Sequence, residues 1–156
     1  IAEKSPEKAF LGVEVHAAGV GKLLSEIERR GLTNVRIVQA DVVDVLSSMI
    51  PNESLSGVHI FFPDPWPKKR HHKRRLFTEA FAHELYRKLK HGGYIYLVTD
   101  IDDYAQEMLR VGAATEGLIN PKGGFSERLA FRPDTAFEKK AHADGRPVRE
   151  ILFKKL

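Results

Sequence analysis

Short apolar runs alternate along the chain with stretches of helical period. Phe10-Leu11-Gly12-Val13-Glu14-Val15 is mostly apolar and β-branched, the pattern of a strand buried in a parallel sheet. Over Gly19 to Arg30, Leu23, Leu24 and Ile27 recur at helical spacing and Gly31 ends the turn. Val35 to Gln39 reads as a second strand, and Val42 to Met49 as a short helix stopped by Pro51. Val58-His59-Ile60-Phe61-Phe62 is a third strand that runs straight into Pro63-Asp64-Pro65-Trp66-Pro67. Three prolines in five residues neither extend a ladder nor fill a helix interior, so this segment is a rigid loop at the strand's carboxyl end.

Phe77, Phe81, Leu85 and Leu89 then fall every four residues along one helical face, with His91-Gly92-Gly93 as the expected stop. Tyr94 to Thr99 makes a fourth strand with Asp100 at its end, Asp102 to Gly117 a further helix, and Val148 to Phe153 a final strand. This alternation predicts an α/β protein with an open, mostly parallel sheet and helices on both faces.

Such sheets bind ligands beyond the carboxyl ends of their strands. Glu14, Asp41, Asp64 and Asp100 stand at or just past four consecutive strand ends, and the expectation is that they converge on one crevice. Each alone would serve as a helix cap or strand-end carboxylate; together they point to a site. An acidic residue at the first strand end suits a ribose diol, and one past the next suits an adenine amino group, which together describe an adenosine ligand such as S-adenosylmethionine.

Composition narrows the chemistry. At 156 residues the chain has one domain's worth of sequence, and no apolar stretch approaches the ~20 residues of a membrane span. A cytoplasmic location is expected. Cysteine is absent, which removes thiolate chemistry and disulfides. The net charge is +4, but Lys68, Lys69, Arg70, Lys73, Arg74 and Arg75 supply six of the 25 cationic residues, and the remainder carries 19 against 21 acidic ones. So local a basic run suits a polyanion, although a solvated helix start has the same composition. Gly19-Val20-Gly21-Lys22 is no phosphate loop, because His16 stands where the first glycine belongs and Leu23 where a Ser or Thr would hold magnesium. His71-His72 lies within the cationic run and is read as surface histidines, with no metal expected.

The run from Ile60 to Leu76, with Pro63-Asp64-Pro65-Trp66-Pro67-Lys68-Lys69-Arg70-His71-His72-Lys73-Arg74-Arg75 at its heart, resembles the signature of the bacterial tRNA (guanine-N7-)-methyltransferases. Gly12-Val13-Glu14-Val15-His16, Thr99-Asp100 with Tyr104-Ala105, and Arg132-Pro133 with Thr135, Phe137 and Glu138 match the same pattern in order over nearly the whole chain.

The resemblance implies one Rossmann-like methyltransferase domain over residues 1–156, with an antiparallel edge strand. It implies S-adenosylmethionine as cofactor, held by Glu14, Asp41 and Asp64, with Asp64 also catalytic. The substrate positions it implies are Lys68, Asp100, Thr135, Ala136, Phe137 and Glu138, and the product 7-methylguanosine in the variable loop of tRNA. Lys69, Arg70, Lys73, Arg74 and Arg75 are assigned to tRNA phosphates, and Trp66 either stacks on a base or cofactor or is a buried structural side chain. Monomer and homodimer are both compatible. Family members carry a strand and glycine-rich loop ahead of the Phe10 strand, so the chain is expected to lack an N-terminal part. Ala18, Ala136 and Ala141 stand where the family usually has proline, a basic residue and glycine. Two alternatives remain at this point: an RNA-binding module without catalysis, and a methyltransferase acting on another RNA or a small molecule.

Overall fold

A computed structural model describes all 156 residues. They divide into two compact units, Ile1–Ile50 with Ala130–Pro133, and Pro51–Leu129 with Asp134–Leu156.

In the first unit, β1 (Phe10–Glu14) pairs in parallel with β2 (Val35–Gln39), from Phe10 opposite Val35 to Glu14 opposite Gln39. Helix α1 (Ala17–Arg29) makes the crossover that parallel strands require, and α2 (Val42–Met49) follows β2. Gly12 lets the Ile37 side chain lie across β1, since a Cβ there would stand 2.7 Å from Ile37 Cδ1. The apolar stripe read in α1 is only partly covered. Leu23 and Leu24 are exposed and no residue of α1 is fully buried, because two strands offer a helix little area to cover. The buried side chains of this unit's helices are Val45 and Leu46 of α2.

The second unit holds β3 (Leu55–Phe61), α3 (Glu79–Lys88), β4 (Leu89–Thr99), α4 (Asp102–Ala114), β5 (Leu118–Ile119), α5 (Ala136–Ala143) and β6 (Arg149–Lys155). Its sheet runs in the order β3-β4-β6-β5. β3 and β4 are parallel, while β6 is antiparallel to both β4 and β5. The antiparallel part is thus larger than the single edge strand expected: β6 is internal and the two-residue β5 takes the edge. Ile95, Tyr96, Leu97 and Val98 of β4 are all fully buried, as a strand covered on both faces requires. No helix is long and apolar enough to cross a membrane.

The helix expected to run to Leu89 is shorter. Thr78 caps it, its hydroxyl accepting from the Phe81 N–H at 3.2 Å, and it ends at Lys88. Phe77 and Leu89 flank it and are buried, so the four-residue spacing marks the core correctly while overstating the helix. Nor does His91-Gly92-Gly93 close a helix. Between the pairs Leu55–Leu89 and Gly57–Tyr94, β4 advances five residues against two on β3. Gly92 (φ +78°) takes up the bulge, and a Cβ at Gly93 would stand 2.8 Å from the Lys90 carbonyl oxygen. A fifth helix, α5, lies in a stretch whose residue pattern predicts no element.

Candidate functional site

β3 hands the chain directly to the proline loop. Phe62 still donates its N–H to the Val98 carbonyl at 2.8 Å, but its φ is +49°, and Trp66 at the far side of Asp64 has φ +43°. Two non-glycine residues in the left-handed region within five positions mark a loop held in shape by its surroundings. Asp64 is exposed and its carboxylate takes no bond from the chain. Trp66 is half-buried, with the His71 ring edge-on at 6.0 Å and the Arg74 guanidinium 5.1 Å from its centroid.

Residues Lys69–Arg74 form a short 3-10 helix of their own, separate from α3. Lys68, Lys69, Arg70, Lys73 and Arg74 are all exposed, and none is paired with a carboxylate. Arg75 departs from the expectation that it contacts tRNA. It is only 2% exposed; its Nε donates to the Pro65 carbonyl at 2.6 Å, Nη1 to Glu107 at 2.6 Å and Nη2 to Asp103 at 3.1 Å, and it lies 4.6 Å above the Tyr104 ring. Burial works against the charged guanidinium, but the bonds it donates to Glu107 and Asp103 outweigh it and hold the arginine above its ordinary pKa. Charge alone did not separate Arg75 from Arg74; the carboxylates that bury it lie 28 and 32 residues further on.

Asp100 follows β4, whose Val98 stands opposite Phe61 of β3, so Asp64 and Asp100 extend neighbouring parallel strands at their carboxyl ends. Asp100 is not unpaired: Arg146, which the sequence did not single out, reaches its Oδ2 with Nε at 2.9 Å and Nη2 at 2.8 Å. Asp144 first and Asp100 second raise the Arg146 guanidinium above its ordinary pKa. The stretch expected at the substrate opens α5. The Thr135 hydroxyl accepts from the Glu138 N–H at 3.1 Å as its N-cap. Ala136 and Phe137 are exposed, whereas Glu138 is buried with its carboxylate 3.2 Å from Arg128. Glu138 thus ties the first turn of α5 to Arg128.

In the first unit, Glu14 is the last residue of β1, and Asp41 stands just past the end of β2. One Glu14 oxygen accepts from the His16 N–H at 3.0 Å, and the side chain lies close over Gly19, where a Cβ would come within 3.1 Å of Glu14 Cγ. Asp41 is the N-cap of α2, its Oδ1 accepting from the Val43 N–H at 2.8 Å. Each carboxylate is oriented through one oxygen and makes no bond from the chain with the other. Acceptors held in this way fit an adenosine cofactor, for which a ribose diol and an adenine amino group supply donors. The four carboxylates thus fall two to each unit.

Residues 1–151 match a protein family described as "Putative methyltransferase". The tRNA (guanine-N(7)-)-methyltransferase of Nitrosomonas eutropha is 48% identical over 155 residues, covering 99% of this chain and 69% of that protein. The protein of the same name from Ralstonia nicotianae is 49% identical over 155 residues, covering 99% of this chain and 62% of its own length. The chain therefore spans about two thirds of the length of these relatives. Among solved structures, precorrin-6y C5,15-methyltransferase from Geobacter metallireducens matches with a TM-score of 0.61 at 15% identity, covering 96% of this chain and 70% of that one. That likeness bears on the fold, which is the Rossmann-like methyltransferase fold expected from the sequence.

Proposed function

The chain belongs to the tRNA (guanine-N(7)-)-methyltransferase family, and from that premise we propose that it carries the methyl-transfer machinery for N7 of a guanosine in the variable loop of tRNA, with S-adenosylmethionine as methyl donor, in the cytoplasm. The observation that carries the reading is the unpaired Asp64 carboxylate in a rigid loop, followed at once by five exposed cations that no carboxylate neutralises. An acceptor for a purine edge beside an uncompensated positive surface suits a nucleotide within a phosphate backbone.

Glu14 and Asp41 are the residues that would hold the adenosine part of the cofactor. When bound, S-adenosylmethionine supplies an electrophilic methyl group, which the in-plane lone pair of guanine N7 accepts without prior loss of a proton. No general base is needed, so the protein's work is positioning and electrostatics. Asp64 accepts hydrogen bonds from guanine N1 and N2, orienting the ring and favouring the positive charge that develops on it. Asp100, its Oδ2 occupied by Arg146, offers its other oxygen to the same edge. Phe137 presents an aromatic face for the base, and Lys68, Lys69, Arg70, Lys73 and Arg74 meet the phosphates.

The test is methyl transfer from labelled S-adenosylmethionine to unmodified tRNA, followed by nucleoside analysis, with this chain beside an N-terminally extended form. 7-Methylguanosine from either form supports the reading. Label in a different nucleoside would reassign the substrate, and tRNA binding without transfer by either form would leave an RNA-binding module.

A further inference from the structure

We propose that Arg75 is a positioning residue for Asp64, setting the shape of the Pro63–Pro67 loop instead of binding tRNA. The inference rests on the role given to Asp64 above.

Access rules out a phosphate contact first. Arg75 is buried, its guanidinium shares its charge between Asp103 and Glu107, and one face covers Tyr104. A phosphate arriving there would meet two carboxylates and no free N–H fork.

The loop, for its part, cannot hold itself. Pro63, Pro65 and Pro67 have no N–H, which leaves Asp64 and Trp66 as the only amide donors between them. Phe62 and Trp66 bracket Asp64 in the left-handed region, a conformation that persists only when neighbouring contacts impose it. On the entry side, Phe62 is fixed by its bond to Val98. Beyond Asp64, the first carbonyl with a partner is that of Pro65, and the partner is Arg75 Nε at 2.6 Å.

The other end of the same guanidinium is tied to α4, which begins two residues after Asp100. One side chain thereby joins the loop that presents Asp64 to the helix that follows Asp100. Only arginine fits this role, because its planar fork serves three acceptors at once while a lysine ammonium offers a single point of charge.

Full enzyme variants Arg75→Gln, Arg75→Lys, Arg74→Gln, Asp64→Asn and the double Asp64→Asn/Arg75→Gln would be compared for kcat, KM for tRNA, cofactor affinity and the salt dependence of tRNA binding. Arg75→Gln is expected to lower kcat roughly 10- to 100-fold, with Arg75→Lys falling in the same direction and the salt slope unchanged. Arg74→Gln should reduce that slope. The double variant should be no slower than Asp64→Asn alone, because a residue acting through Asp64 adds nothing once Asp64 is gone. Should Arg75→Gln fail to fold, Glu107→Gln, whose carboxylate is partly exposed, takes its place in the same cycle with a smaller loss expected.

A shallower salt slope in Arg75→Gln, an unchanged kcat, or losses that multiply in the double variant would each overturn the inference. An intact kcat in Asp64→Asn overturns the reading of Asp64 itself, and the positioning role with it. Impaired Asp64→Asn with multiplying losses overturns the positioning role alone.

Discussion

Phe62 and Phe137 stack with ring centroids 5.7 Å apart and planes 18° from parallel, yet Phe137 remains 64% exposed. The first ring belongs to the left-handed residue that opens the Asp64 loop, the second to the first turn of α5. A large apolar ring held flat by a neighbour and open to water on its other face is a platform for a base, and base–aromatic stacking contributes ~1–3 kcal/mol. Phe137→Ala should therefore weaken tRNA binding by about that amount in a titration, and should leave the melting temperature nearly unchanged because so little of the ring is buried. A large fall in melting temperature with unaltered affinity would make the pair structural.

The exposed cations after Asp64 predict a salt effect. Replacing Lys69, Lys73 and Arg74 with glutamine removes up to three phosphate contacts, and the log–log slope of tRNA affinity against salt should fall by about 2–3. Filter-binding or anisotropy titrations at several salt concentrations measure it directly. An unaltered slope would return the run to a solvated surface.

Much of this was legible from the order of residues. The runs at β1, β2 and β3, the helix at α2 with Pro51 behind it, and the start of α4 were readable because local period and punctuation agree there with the tertiary structure. Leu89 departs from its local pattern for a physical reason: it continues the four-residue spacing of Phe81 and Leu85 and is buried as they are, but as the first residue of β4. Spacing reports which side chains reach the core and is silent on how the backbone brings them there. The site shows the same division. Asp64 between prolines stands out in any reading, whereas the burial of Arg75 by Glu107 and the contact of Arg146 with Asp100 depend on carboxylates 32 and 46 residues away.

Glycines in two helices predict effects of opposite sign. In α4, a methyl group on Gly112 would fall inside the buried Phe153 ring of β6, so Gly112→Ala should destabilise by about 1–3 kcal/mol in urea unfolding. In α1, nothing lies within 4 Å of a Cβ at Gly21, and Gly21→Ala should stabilise by ~0.5–1 kcal/mol through helix propensity. Equal effects at the two positions would contradict the packing of α4 on β6.

Glu26 gives a pH dependence whose sign is fixed. Hydrogen bonds from Arg29 and Arg30 lower its pKa from 4.5 to about 2. A carboxylate depressed on folding contributes stability that is complete above the unfolded value and is lost as pH falls through the folded one. The contribution of Glu26 should thus be present above pH 4.5 and fade towards about 2. A carboxyl-carbon NMR titration should find the Glu26 midpoint well below 4.5, and a midpoint at 4.5 would show that Arg29 and Arg30 do not hold it.

Arg146 offers a way to ask whether Asp100 meets the substrate. Its Nε and Nη2 both reach Asp100 Oδ2, and its Nη1 bonds Asp144 at 2.5 Å, so it fixes one oxygen of Asp100. Arg146 is itself partly exposed, so solvent screens the pair and its contribution to stability is small. Arg146→Lys keeps the charge and loses the fork. If Asp100 orients the guanine edge, this variant should retain most of the stability while kcat/KM for tRNA falls about tenfold, since a small misplacement of an orienting group is costly to catalysis. Parallel recovery of stability and activity in the lysine variant would mean that only the charge matters, and that Asp100 serves the fold.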